Sequence, residues 1–170
     1  RKKAINYGGC LNGLTCYLIE RSLKTLAVRV ERQSENALEV ARYLAGQAAI
    51  EQVFYPGLET HPDHSLAASL MTGFGGMLSF NLAESVSYRD FLGALKLITP
   101  ATSLGGVEST MTMPMFTSHR LMPEETRQQL GISERLVRFS VGIELVDDLI
   151  ADLDQALARC LAGNEAGTAG

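Results

Sequence analysis

Three shortages bound this chain of 170 residues before any motif is read. It has no surplus of positive charge: 15 Lys and Arg stand against 19 Asp and Glu, a formal net charge of -4. A nucleic-acid partner would leave a basic footprint. The one basic run, Arg1-Lys2-Lys3, is short and terminal, as a solvated end is. The chain has few cysteines. Cys10, Cys16 and Cys160 are odd in number and sit inside apolar or helical patterns. That argues against a disulfide framework and for buried, reduced structural thiols in a cytoplasm. It has no apolar run long enough to span a bilayer and no signal-peptide core, so no membrane partner is expected. It also opens without a methionine, which points to a longer parent chain.

What is present is ordinary for a globular domain. Apolar residues make up 46% and charged residues 20%, enough to build a core and too apolar for disorder. Residues 1–13 are polar and Gly-rich, a loop feeding a helix. The spacing then predicts helix from 14 to about 46, bent near Arg32–Ser34, with Ala37, Val40, Ala41 and Leu44 on one stripe. Ile50 to Tyr55 forms a strand stopped by Pro56-Gly57. Asp63 caps a short helix to Met71, and Ser85 caps another running to about Lys96. Between them lies the strand Met77 to Leu82, with Leu78, Phe80 and Leu82 facing a core. Leu97 to Thr102 is a strand candidate that Pro100 confines to an edge or to a short length. After an irregular stretch, Pro123 opens a helix as its first residue and Gly131 closes it. Asp147 and Asp148 open a last helix, and the tail from Gly163 is frayed. The order is a compact α/β layer with a helical arm in front.

The stretch Leu136 to Glu144 organises the candidate site. Val137, Phe139, Val141 and Ile143 alternate onto one face; Leu136, Arg138, Ser140 and Gly142 take the other. An arginine between a small hydroxyl and a glycine offers a rigid fork of donors to a carboxylate or phosphate. The same residue on the wet face of an edge strand would only discourage edge pairing. Upstream, Thr102-Ser103-Leu104-Gly105-Gly106 supplies hydroxyls and amides on a glycine-bounded turn. Together these are the parts of a carboxylate clamp.

Other constellations carry less. Gly73-Phe74-Gly75-Gly76 precedes a strand, whereas a phosphate-cradling loop opens a helix; a close backbone approach explains it better. His61, Asp63 and His64 are a partial metal set with nothing else converging, so no metal is assigned. His119 follows Thr117-Ser118 without a nucleophile elbow. The four lysines, Lys2, Lys3, Lys24 and Lys96, lie outside the apolar settings that Schiff-base chemistry requires.

Six ordered stretches carry a resemblance: Tyr7-Gly8-Gly9-Cys10-Leu11, Arg21-Ser22-Leu23-Lys24-Thr25-Leu26, Tyr55-Pro56-Gly57-Leu58, Gly73 through Phe80, Ser103-Leu104-Gly105-Gly106-Val107-Glu108-Ser109, and Leu136 through Glu144. The chain resembles the C-terminal part of the trans-sulfuration enzymes that depend on pyridoxal 5'-phosphate: cystathionine β-lyase, γ-lyase and γ-synthase, and methionine γ-lyase. The resemblance implies an α/β C-terminal domain of a fold-type I enzyme, a small mostly antiparallel sheet with helices on one face. A long helix from the cofactor domain would precede it. It divides the chain into residues 1–46 (end of the cofactor domain and linking helix), 47–162 (C-terminal domain) and 163–170 (tail).

In that family the arginine matching Arg138 binds the α-carboxylate of an amino-acid substrate. The residues matching Ser103 and Leu104 shape the pocket, with Thr102 and Ser118 as weaker members. The γ-acting enzymes often carry glutamate where Thr102 stands, which leans towards β-lyase chemistry. The family's Schiff-base lysine, the acid for the pyridine nitrogen and the stacking aromatic lie upstream of every motif matched here. A cytoplasmic homotetramer is implied for a full-length enzyme, and no catalytic residue for this segment. The alternative is a free-standing amino-acid-binding or assembly module without the cofactor domain.

Overall fold

The computed structural model describes residues 11–167. The first ten residues of the predicted loop, with Lys2, Lys3 and Cys10, lie outside them, as does the end of the tail. Helix α1 (Gly13–Leu23) starts at Asn12, whose Oδ1 accepts from the Thr15 N–H at 2.9 Å. Helix α2 (Leu26–Ala45) follows at once. The single bent helix expected here is therefore two, and the break falls at Lys24-Thr25 rather than at Arg32–Ser34. The Ser22 carbonyl shows why: it accepts from the Thr25 N–H at 3.4 Å and from Arg29 Nη2 at 2.8 Å, closing the first helix. The polar run at 32–34 instead turns Gln33 inward, to 7% exposure.

A five-stranded sheet follows, in the order β1-β2-β5-β4-β3. Its strands are β1 (Ile50–Phe54), β2 (Met77–Leu82), β3 (Thr99–Pro100), β4 (Thr110–Thr112) and β5 (Leu136–Ser140). All pairs are antiparallel except β3 with β4. Strand β3 is an edge pair of residues, as Pro100 demands. Strand β4 lies in the stretch expected to be irregular. It is three residues long and bounded by Pro114, too short for alternation to announce it.

Helix α3 (His64–Leu70) has no side-chain cap from Asp63. Helix α4 (Tyr88–Ala94) is capped by Ser87, whose Oγ accepts from the Asp90 N–H at 3.4 Å. That corrects the expected start at Ser85 and the expected end near Lys96. Helix α5 (Glu124–Gln129) begins after Pro123, which sits at the cap rather than in the first turn. Gly131, at φ +69, ends it in the left-handed region. There Ile132 N–H reaches the Arg127 carbonyl and Gly131 N–H the Gln128 carbonyl, the paired bonds of a Schellman stop. Helix α6 (Val146–Gly167) runs past the expected start of the tail.

The core lies between one sheet face and helices α2, α4 and α6. Phe80, Phe139 and Leu153 are all at 0% exposure, as the alternation requires. Truncating a buried phenylalanine of this kind to alanine costs about 3–5 kcal/mol. Ile143, assigned to the same face, is 38% exposed, because β5 ends at Ser140 and the alternation ends with it. Asp152 is buried in α6, and its carboxylate accepts the N–H groups of Lys96, Leu97 and Ile98 at 2.8–2.9 Å. The chain is thereby held as it turns from α4 into β3. Helix α1 contributes no buried residue; Leu14, Tyr17, Leu18 and Leu23 all face outward.

Candidate functional site

Arg138 stands on a central strand, not at an edge, with β2 on one side and β4 on the other. Only its role as an edge charge is thereby removed. Directly opposite residues share a sheet face. Ser79, Arg138 and Thr112 therefore form one cross-strand row, and Met77, Ser140 and Thr110 the next. Both rows lie on the face away from Phe139.

Arg138 Nη2 donates to the carbonyls of Thr102 at 2.8 Å and Ser103 at 3.2 Å. Its Nε is buried and has no partner among the described residues. No carboxylate pairs with it there either. The ion pairs among those residues belong to Lys24, Arg32, Arg42 and Arg135. Glu144, two places beyond the predicted strand face, is taken by Ser109, whose N–H and Oγ donate to it at 2.6 and 2.9 Å. A guanidinium with a desolvated, unused N–H and no acid beside it is under-satisfied.

The turn Thr102–Gly106 is pressed against this face. Thr110 Oγ1 donates to the Ser103 carbonyl at 2.8 Å. Gly105 N–H donates to Ser140 Oγ at 2.9 Å. Gln33 Nε2 donates to the Gly106 carbonyl at 2.6 Å. Gly105 has φ +73, which a side chain would strain. Thr102, Ser103 and Leu104 are exposed on the turn, beside Arg138. Ser118 Oγ bonds His119 Nδ1 at 2.8 Å, and the Thr117 hydroxyl beside it meets Thr112 of the arginine row at 3.0 Å.

The remaining sequence candidates resolve individually. Gly76 is a close approach, since a Cβ there would meet Gln33 Cβ at 2.9 Å and the Val141 carbonyl at 3.1 Å. His64 Nδ1 contacts the Pro56 carbonyl at 2.8 Å, which requires that nitrogen to carry the proton. Among the described residues, no group of three or more His, Cys, Asp or Glu is arranged for a metal. Lys24 is exposed and pairs with Glu20 at 3.7 Å; Lys96 is also exposed. Cys160 is buried, and burial pushes its thiol pKa up. Cys16 is exposed on α1, against the expectation of a buried thiol. No helix among the described residues is long and apolar enough to cross a membrane.

Sequence reasoning missed the polar anchors of α2. Gln33 holds Gly106, and Asn36 Nδ2 donates to the carbonyls of Gly142 at 3.1 Å and Glu144 at 2.9 Å. A signal existed: the stripe of Ala37, Val40 and Leu44, extended back at helical spacing, lands on Gln33 and Asn36.

The family model for "Cys/Met metabolism PLP-dependent enzyme" matches residues 1–158. The chain belongs to this family. Cystathionine beta-lyase of Lactococcus lactis subsp. cremoris is 41% identical over 152 residues, which are 89% of this chain and 40% of that protein. The structure of cystathionine gamma-lyase from Lactobacillus plantarum, in complex with L-serine, superposes with a TM-score of 0.85 at 38% identity. It is covered over 40% of its length by 90% of this chain. Cystathionine gamma synthase from Xanthomonas oryzae pv. oryzae gives 0.79 at 45% identity, over 84% of this chain and 37% of that one. The chain thus spans about two fifths of the length of these Cys/Met metabolism relatives. Its five-stranded sheet and packed helices match the C-terminal domain of fold-type I enzymes of the family.

Proposed function

We propose that this chain is the C-terminal part of a pyridoxal-phosphate enzyme that breaks or forms a C–S bond in cystathionine or a related amino acid. Residues 1–46 form the end of the cofactor domain with its linking helix, and 47–162 the C-terminal domain. Its contribution is to hold the substrate α-carboxylate with Arg138, Ser103 and Leu104, beside Thr102. The observation that carries this reading is the Arg138 guanidinium, with a buried Nε–H and no acid to neutralise it. An anionic ligand would supply the missing counter-charge. Held there, the carboxylate fixes the orientation of the bond to be broken.

On the same reading the described residues supply no covalent anchor for the cofactor. Their two lysines are exposed, and the glycine-rich segment at 73–76 leads into a strand rather than a helix. On this reading the lysine that carries the cofactor lies in the part of the family's enzymes that this chain does not cover. Cytoplasmic residence and assembly into a homotetramer belong to the same reading.

The test is Arg138 in the full-length enzyme. Hydrogen bonds to a charged group contribute about 1.5–3 kcal/mol each. Losing a bidentate pair should therefore lower kcat/KM by roughly two orders of magnitude or more. Arg138→Lys keeps the charge and loses the planar fork, so it should be crippled as well. Cofactor absorbance should stay intact in both. Near-native turnover of Arg138→Lys would sink the assignment.

A further inference from the structure

We infer that Ser140 and Thr110 are positioning residues that hold the Thr102–Gly106 turn in place when Arg138 engages a carboxylate. The inference rests on the carboxylate reading of Arg138. In the structure, Arg138 has two jobs. It tethers the turn through the carbonyls of Thr102 and Ser103, and on the carboxylate reading it also binds the ligand. A carboxylate that draws the guanidinium towards itself weakens the tether at the moment the turn is needed.

Besides Gln33, which holds the Gly106 carbonyl at its far end at 2.6 Å, the turn has little else to hold it. Leu104 is 57% exposed and gives no packing anchor. Gly105, at φ +73, sits in a conformation that confers no rigidity of its own. Two hydroxyls from the sheet supply the hold. Thr110 Oγ1 donates to the same Ser103 carbonyl that Arg138 uses, at 2.8 Å. Ser140 Oγ accepts the Gly105 N–H at 2.9 Å. Both side chains are nearly closed from solvent, at 4% and 2% exposure, so water is a poor substitute. They also face each other in register, and Ser140 lies on Arg138's own strand face two residues on. The distance from arginine to turn is thus set by one rigid sheet.

The experiment uses full-length, cofactor-loaded protein and two probes, glycine and methylamine. Both carry an amine, and only glycine carries a carboxylate. Calorimetry gives the ratio of their affinities. Removing one neutral hydrogen bond should change that ratio by roughly 3- to 10-fold. Ser140→Ala and Thr110→Val should each lower it by that amount, with methylamine affinity unchanged. Thr110→Ser keeps the hydroxyl and should restore the ratio. If Arg138→Ala abolishes the ratio while Ser140→Ala and Thr110→Val leave it intact, the positioning role is overturned and the carboxylate reading stands. A parallel fall in both affinities would mark general damage and also overturn it. If Arg138→Ala leaves the ratio intact, the carboxylate reading itself fails.

Discussion

Replacing Asp152 tests how the end of α4 is held, and the size of the effect follows from the geometry. The carboxylate accepts three successive backbone N–H groups, from Lys96, Leu97 and Ile98, and a fourth bond from Gln155 Nε2 at 3.1 Å. In Asp152→Ala all three backbone donors lose their partner. An orphaned buried donor costs about 1–3 kcal/mol. Ile98 is 1% exposed and its bond is buried, so its donor costs the full amount, whereas the Lys96 and Leu97 bonds are part-buried and cost about 1 kcal/mol each. The net loss should be about 3–5 kcal/mol. Asp152→Asn should cost less but more than 1 kcal/mol, because its NH2 end opposes a donor. The chain has no tryptophan, so urea unfolding is best followed by far-UV circular dichroism. Amide exchange at Ile98 should accelerate in step. A loss below about 1 kcal/mol for Asp152→Ala would refute the reasoning.

Three further outcomes are expected. Tyr55 donates its buried hydroxyl to the Gly75 and Ser34 carbonyls, and burial pushes its pKa up to about 12. The folded value exceeds the ordinary 10, so its stability contribution is whole below pH 10 and fades as pH climbs to 12. Urea midpoints of wild type and Tyr55→Phe should therefore converge over that interval; parallel curves would contradict this. The outward apolar residues of α1 should make the 170-residue chain self-associate, and Leu14→Glu with Tyr17→Glu should suppress it. Sedimentation showing a monomer at high concentration would speak against a covered seam. Incubation of the same chain with pyridoxal phosphate, then borohydride, should leave no adduct on Lys24 or Lys96 by peptide mass; a stoichiometric adduct would reverse that view.

The fold was legible where burial and period agree. Phe80 and Phe139 alternate with polar neighbours, which marks one face of each strand as the apolar one. The site was half legible. Arg138 and Ser103 could be picked out as chemistry, but the sequence left an edge or a central strand open, and only the pairing to both β2 and β4 decides it. The hydroxyl that meets the arginine row from the 117–119 stretch is Thr117, set by the short helical turn at Pro114–Phe116, which local pattern does not place. Gln33 and Asn36 were obscured by their polarity. A buried polar residue looks like a surface one until its partner, here a distant loop carbonyl, is known.

The same two residues give α2 a rotational phase. Each residue added to a helix turns what lies beyond it by about 100°. Ala37, Val40, Ala41 and Leu44 seat the second half of α2 on the sheet, while Gln33 and Asn36 read the carbonyls of Gly106, Gly142 and Glu144. One residue inserted between Asn36 and Ala37 would swing both amides off three carbonyls at once and leave the core untouched. The same insertion between Leu26 and Glu31 would rotate only what precedes it. Length variation should therefore spare the fold of this domain on one side of Gln33 and disrupt it on the other.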